Sequence, residues 1–304
     1  MRILVVGAGA TGGYFGGRLA AAGRDVTFLV RGRRAERLRS TGLQIVSPKG
    51  DAFIRPKLAT AADIASTFDV VLLTVKAYSL EEAMADFAPA VGPDTMILPV
   101  LNGMKHMDVL ASRFGAHHVV GGICKVAATI DDDGRIVQLA SFHELVYGEL
   151  NGARSERMER LDELMRNAGF DASLSPVIGR EMWEKWSFLA SLGGINCLMR
   201  GNVGKVASAP GGKEFANALL DEVLAVVNAV GVPPRESFCA TIRAQLTDAS
   251  SPLTSSMYRD LEKGNPIESE QVVGDLVARA HRAGVPVPLL SAAYVNLCVA
   301  RQGS

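Results

Sequence analysis

Apolar and polar positions along the chain follow two rhythms. Up to about residue 178, short apolar runs alternate with segments of helical spacing. The runs at 2–6, 25–30, 70–75, 95–101 and 118–123 have the length and continuity of buried parallel strands. Residues 11–22 read as a small-residue helix that Gly23 stops. Strand, helix and strand over residues 2–30 make one βαβ unit, which requires a parallel sheet and a right-handed crossover. Further on, 125–130, 135–139 and 145–148 read as hairpin strands around the turn Asp131-Asp132-Asp133-Gly134. An amphipathic helix over 154–168 and a strand over 171–175 complete this half. Beyond residue 178 the strand signal stops. Helices are predicted over 179–199, 212–230, 234–246 and 267–283, with a further one over 288–300. Gly231-Val232-Pro233-Pro234 and Gly284-Val285-Pro286 punctuate them.

The expected fold is therefore α/β: an N-terminal Rossmann domain with a parallel-sheet core (1–178), followed by an all-helical C-terminal domain (179–304). A cleft between two such domains is the natural place for a small ligand. Composition narrows the partners. Lys and Arg total 32, as do Asp and Glu, so no basic excess points to nucleic acid or an anionic membrane. No apolar run reaches the ~20 residues of a membrane span, and the chain enters a strand at once without a signal-peptide layout. Cys124, Cys197, Cys239 and Cys298 lack any CxxC or zinc spacing. They read as reduced, mostly buried thiols of a cytoplasmic protein, with no metal site expected.

Gly7-Ala8-Gly9-Ala10-Thr11-Gly12 lies between the first strand and the first helix, the context in which a glycine-rich turn signals dinucleotide binding. Gly7 permits the turn, Gly9 lets backbone approach a pyrophosphate, and Gly12 permits close helix–strand packing. The helix N-terminus offers unpaired N–H groups to phosphate. After the second strand, where an NAD site commonly carries a carboxylate, stand Arg31, Arg33 and Arg34. Guanidinium groups suit a 2′-phosphate, so NADP is the expected cofactor. Lys76 and Asn102 follow strands at their carboxyl ends, where ligands of open α/β sheets bind. Each is a contact to cofactor or substrate, or simply a strand-end cap. In Glu181-Met182-Trp183-Glu184-Lys185-Trp186, Lys185 is a candidate proton donor, or one half of an exposed pair with Glu181.

The order of GAGATG, Arg31, VKAY with Lys76, LNGM with Asn102, WEK with Lys185, then SSM and a Glu twelve residues on resembles ketopantoate reductases across nearly the whole chain. The resemblance implies a helical domain of the 6-phosphogluconate dehydrogenase type. It also implies reduction of 2-dehydropantoate to pantoate with NADPH, in pantothenate biosynthesis. Lys185 would be the general acid. Glu268 would meet the cofactor, substrate or lysine. Ser256, beside Ser255, would hold the substrate carboxylate. Lys76 and Asn102 would contact cofactor and substrate, and Ala128 would make a cofactor backbone contact. The bland alternatives are that Ser256 is a helix N-cap and Glu268 a first-turn acid. A homodimer is a further expectation from the family.

The chain also departs from that family. Asparagines expected four and eight residues after the lysine, and a third before a later Gly-Glu pair, are here Leu189, Gly193 and Val203. Asn196 and Asn202 lie nearby as substitutes. A related NADP-dependent 2-oxo acid reductase or 2-hydroxy acid dehydrogenase with another substrate is therefore the close alternative. A non-enzymatic NADP(H) sensor is the reading from another class; it has no need for Lys185, Ser256 and Glu268.

Overall fold

The computed structural model describes residues 1–302. The chain divides into two compact units: Met1–Leu101 with His106–Gly179, and Asn102–Lys105 with the residues from Arg180 onward. The four residues Asn102–Lys105, which the sequence assigns to the first domain, thus pack with the second unit.

The first unit grows from its βαβ start. Strands β1 (Arg2–Val6) and β2 (Asp25–Leu29) pair in parallel, joined by helix α1 (Ala10–Ala21). There follow α2 (Gly32–Thr41), β3 (Leu43–Val46), β4 (Ala52–Ile54), β5 (Lys57–Ala59), β6 (Phe68–Leu73), α3 (Leu80–Phe87), β7 (Val91–Pro99) and α4 (Lys105–Phe114). Five strands form a parallel sheet in the order β5-β2-β1-β6-β7. Ile3, Leu4, Val5, Val70, Val71, Leu72, Ile97 and Leu98 are fully buried, as continuous apolar runs require of a sheet covered on both faces.

The remaining strands, β8 (Gly121–Ile130), β9 (Ile136–Gly148) and β10 (Asp171–Leu174), frame α5 (Glu156–Met165). They build a second, mixed sheet in which β9 pairs with β8 antiparallel and with β3 and β10 parallel. The fragmentary hairpin read from sequence is one long ribbon. The stretch 140–144, between the strands read from sequence, is strand too, and its one buried side chain, His143, is polar. Gln138 and His143 are buried, and the Tyr14 hydroxyl of α1 lies 2.8 Å from Gln138 Oε1 and 2.7 Å from His143 Nδ1. Buried polar groups supplied with partners break the expected apolar alternation without destabilising the strand.

The second unit is helical: α6 (Ile178–Met199, in this unit from Arg180), α7 (Val203–Ser208), α8 (Gly212–Val230), α9 (Glu236–Leu246), α10 (Ser256–Glu262), α11 (Asp275–Ala283) and α12 (Pro288–Gln302). The helix expected over 267–283 opens instead as a π-helical turn, Glu270–Gly274, which runs directly into α11. Cys197 is buried, and burial pushes its thiol up to about 12. Cys124, Cys239 and Cys298 are only half-buried, which corrects the expectation of mostly buried thiols. No helix among the described residues is long and apolar enough to cross a membrane.

One ion pair fixes α6 from within. Glu184 is buried, and its Oε1 accepts from the Arg235 backbone N–H and Nε at 2.9 Å each, while Oε2 meets Arg235 Nη2. Burial pushes this carboxyl up, but the Arg235 hydrogen bonds and charge outweigh it and hold Glu184 below the usual carboxylate range. A depressed folded value means the stabilisation is present above the unfolded pKa of about 4.3 and is lost as pH falls through the folded value. Arg235→Met, which strands the buried carboxylate, is expected to cost about 2–3 kcal/mol at neutral pH. The deficit relative to wild type should shrink as pH falls, because the stranded carboxyl of the variant, raised by burial without its partner, takes up a proton before the paired one does. Urea melts of both proteins across pH read this directly.

Candidate active site

The glycine turn is built by exclusion. Gly7 adopts φ +95°, a conformation that strains any residue with a side chain. A Cβ on Gly12 would lie 2.1 Å from both the Gly7 carbonyl oxygen and Thr74 Oγ1. Thr74, just past β6, donates toward the carbonyls of Val6 and Gly7, each at 2.9 Å. Its hydroxyl therefore braces the turn from the neighbouring strand, a role the sequence did not single out. Gly9 differs: a Cβ there would meet nothing within 4 Å. No side chain caps α1, and no acidic residue occupies its first turn. Bare backbone at Gly9 beside uncapped N–H groups at Ala10, Thr11 and Gly12 fits a dinucleotide pyrophosphate. Ala8 lines the same turn, and its carbonyl accepts from Arg34 Nε at 2.9 Å.

Arg31 stands between β2 and α2 as expected, but it already has partners. Its Nη1 meets Glu82 Oε2 at 2.5 Å, while Nε and Nη2 meet Asp86 Oδ2 at 2.6 and 2.5 Å. Both acids belong to α3, far along the chain. The Arg31 side chain is 49% exposed, and exposed pairs of this kind contribute only about 0–1 kcal/mol. They orient the guanidinium while being weak enough to exchange for a phosphate. Arg34, half-buried, also donates from Nη1 to the Gly134 carbonyl at 3.1 Å. It joins the glycine turn to the β8–β9 turn. Arg33 is exposed.

Lys76 is exposed, directly before a short 3-10 turn, Ala77–Ser79. Ala128 is half-buried in β8, opposite Gln138, next to a register shift after Val126. These residues share the first unit with the turn. Asn102, Lys185, Ser255, Ser256 and Glu268 share the second.

Within the second unit, Lys185 is half-buried on α6 between two buried tryptophans. Trp183 and Trp186 lie 5.2 Å apart between ring centroids, and Arg279 stands over both. Trp186 Nε1 donates to the Val272 carbonyl at 2.8 Å, and the Val272 N–H donates to the Glu268 carbonyl at 3.0 Å. A continuous chain of bonds thus ties the segment carrying Lys185 to the segment carrying Glu268. Glu268 stands just before the helical stretch that opens with Ser269 and the π turn, and its carbonyl accepts the first bond of that stretch.

Ser255, not Ser256, is the N-cap of α10. Its Oγ accepts from the Tyr258 N–H at 3.0 Å, and its own N–H donates to Asn196 Oδ1 at 2.8 Å. Ser255 is buried, whereas Ser256 is exposed at the first position of the helix. The cap assignment therefore moves by one residue, and Ser255 serves the fold. The proposed asparagine substitutes are also occupied. Asn196 is buried and also donates to the Gly201 carbonyl at 2.8 Å, while Asn202 caps α7. Val203 is fully buried and Leu189 half-buried. A Cβ on Gly193 would sit 2.6 Å from Met257 Cε, so a methionine methyl fills the space above this glycine.

The contrast between Gly9 and Gly12 is testable. Gly9→Ala should leave the melting temperature within about a degree or two, yet weaken dinucleotide binding measured by titration. Gly12→Ala must push apart the β1 end and Thr74, and should lower the melting temperature as well as abolish binding. Unimpaired binding by Gly9→Ala would remove that glycine from the cofactor site.

Comparison with known proteins agrees with this architecture. The family model for ketopantoate reductase PanE/ApbA matches residues 3–152, and the model for its C-terminal domain matches 177–299. An uncharacterised oxidoreductase of Bacillus subtilis, YkpB, is 37% identical, with 98% of each chain covered. The crystal structure of a 2-dehydropantoate 2-reductase from Geobacter metallireducens superposes with a TM-score of 0.87 at 27% identity, covering 99% of this chain and 100% of that one. A D-mandelate dehydrogenase, solved with NADH and anilino(oxo)acetate, reaches a TM-score of 0.87 at 18% identity, covering 100% of this chain and 99% of that one. That last likeness is one of fold alone. With both domain models matched in order along the chain, the protein belongs to the ketopantoate reductase family of NAD(P)-dependent oxidoreductases.

Proposed function

We propose that the protein is an NADPH-dependent 2-oxo acid reductase, and that the family reaction, reduction of 2-dehydropantoate to pantoate in pantothenate biosynthesis, is the first to test. The observation that carries this reading is the bond chain from Glu268 through Val272 to Trp186, beside Lys185. It ties the segment bearing Lys185 to the segment bearing Glu268, and a lysine so placed is the proton donor that carbonyl reduction requires.

The cofactor, when bound, supplies the hydride that adds to the substrate carbonyl carbon. The Lys185 ammonium donates a proton to the carbonyl oxygen, and its charge stabilises the oxygen as negative charge develops. Ser256, exposed at the start of α10, offers its hydroxyl and the first N–H groups of the helix to the substrate carboxylate. Glu268 orients the lysine or a substrate hydroxyl. Asn102 donates to cofactor or substrate.

NADP is favoured over NAD by the cluster of Arg31, Arg33 and Arg34 and by the absence of a carboxylate at the β2 end. NADPH should bind more tightly than NADH, and Arg31→Ala should erase most of that preference. Because Glu82 and Asp86 compete for the same guanidinium, Asp86→Asn should strengthen NADPH binding and leave NADH unchanged. Equal affinities of the wild-type protein for both cofactors would overturn the assignment.

A second reading keeps the chemistry and changes the substrate. Leu189, Gly193 and the Met257 methyl present apolar surface where a hydroxylated substrate would need donors. A site without those donors favours a 2-oxo acid with an apolar side chain. NADPH oxidation with 2-dehydropantoate and with a series of aliphatic and aromatic 2-oxo acids separates the two readings. In either case Lys185→Ala should lower kcat by roughly a hundred-fold or more while NADPH affinity stays close to wild type. Retained turnover would remove the lysine from the mechanism.

A further inference from the structure

Asn102–Lys105 leaves the unit that surrounds it in sequence and packs on the π turn of the second unit. Two contacts make the attachment. Gly103 has φ +78°, and a Cβ on it would lie 2.3 Å from the Gln271 backbone oxygen. The loop backbone therefore rests directly on the π-turn backbone, which no side chain at position 103 would permit. Two residues on, Lys105 Nζ donates to Glu270 Oε1 at 3.0 Å. The other oxygen, Glu270 Oε2, accepts from the Tyr294 hydroxyl of α12 at 2.5 Å. This last bond needs a bare Gly274, whose Cβ would stand 2.6 Å from the Tyr294 ring and 2.7 Å from Glu270 Oε2. The Tyr294 bond, opposed by burial and reinforced by Lys105, holds the Glu270 carboxyl below its usual range.

We propose that Glu270, bridging Lys105 and Tyr294, is a positioning residue that sets the register of Asn102 against Glu268. The proposal rests on the functional reading of those two residues. Glu270 stands two residues after Glu268, and Lys105 three after Asn102, so one carboxylate couples the two segments. Asn102 has no strand or helix of its own to orient it. Its register follows from what its loop is fastened to. Small displacements of a positioned group reduce turnover far more than they reduce stability. The ion pair is about half exposed on both sides, with side-chain exposures of 45% and 47%, so its direct contribution to stability is small. Its effect belongs in catalysis.

The test compares wild type with Lys105→Met, Glu270→Gln and the charge-exchanged pair Lys105→Glu with Glu270→Lys. Steady-state kinetics use NADPH and the most active 2-oxo acid of the panel above, and hydrogen exchange follows the amides of residues 103–105. Each single variant should lose on the order of ten-fold in kcat/KM, chiefly in kcat. The loop amides should exchange faster, while NADPH affinity and melting temperature stay near wild type. The exchanged pair should recover most of the loss, which a general loss of structure would not do. Single variants within two-fold of an active wild type, or unchanged loop exchange, would overturn the positioning role alone. A wild-type protein silent toward every 2-oxo acid would instead overturn the functional reading, and the positioning role with it.

Discussion

Close contact at Gly12 is the constraint from which the first unit follows. Helix α1 can approach the ends of β1 and β6 only because position 12 has no side chain to place between the Gly7 carbonyl and Thr74. That approach directs the first N–H groups of α1 outward at the sheet's carboxyl edge. It also brings Thr74 within hydrogen-bond distance of two turn carbonyls. Gly9 is bare for a different reason, since nothing in the protein lies near it. One glycine serves packing and the other leaves space for a ligand, although the motif writes both with one letter.

The second unit uses the same device without a motif. Gly103 and Gly274 each let backbone or a tyrosine ring approach more closely than any Cβ allows. Around them, buried or partly buried polar groups do the fastening: Glu184 to Arg235, Trp186 to Val272, Asn196 to Ser255, Glu270 to Tyr294. These bonds serve the fold, including those of Ser255 and Asn196, which the sequence offers as substrate contacts. They hold α6, which carries Lys185, the segment from Glu268 into the π turn, and α10, which begins with Ser256. A π turn accommodates one more residue per turn than α-helical spacing does, and such turns recur where side chains must be aimed.

What could be read from the sequence follows from how local each cause is. The βαβ start was legible because apolar runs, the glycine turn and Gly23 all act within a few residues. The ribbon of β8 and β9 was legible only in pieces, because in its unread stretch 140–144 the buried side chain is His143, whose partner Tyr14 lies more than a hundred positions away. The excursion of Asn102–Lys105 left no composition signal; its causes are Gln271 and Glu270. The acids on Arg31 come from α3, and the sequence shows only an arginine after a strand. Helix α10 was not read as a helix at all, and the bland reading of Ser256 as an N-cap missed the true cap, Ser255, by one residue. Two adjacent serines are distinguished only by where helical dihedrals begin.

The same distinction between local and remote causes bears on the acceptor. The reductive machinery depends on a few side chains that a family pattern keeps in order, so a TM-score of 0.87 at 27% identity is enough to carry the architecture. Substrate choice depends instead on whether the wall of a site offers donors, which a helix can change without changing its own path. The family resemblance expects an asparagine where Gly193 stands; glycine offers no side-chain donor, and a Cβ there would lie 2.6 Å from Met257 Cε. Of the nearby asparagines, Asn196 is committed at both atoms, its Oδ1 accepting from the Ser255 N–H and its Nδ2 donating to the Gly201 carbonyl, while Asn202 Oδ1 caps α7. Rejecting a substrate whose hydroxyl finds no partner needs only that desolvation go uncompensated, whereas gaining an apolar one requires that space be shaped to it. On the proposed reading, Met257 packed against Gly193 would supply the first condition, and the half-buried Leu189 would contribute to the second.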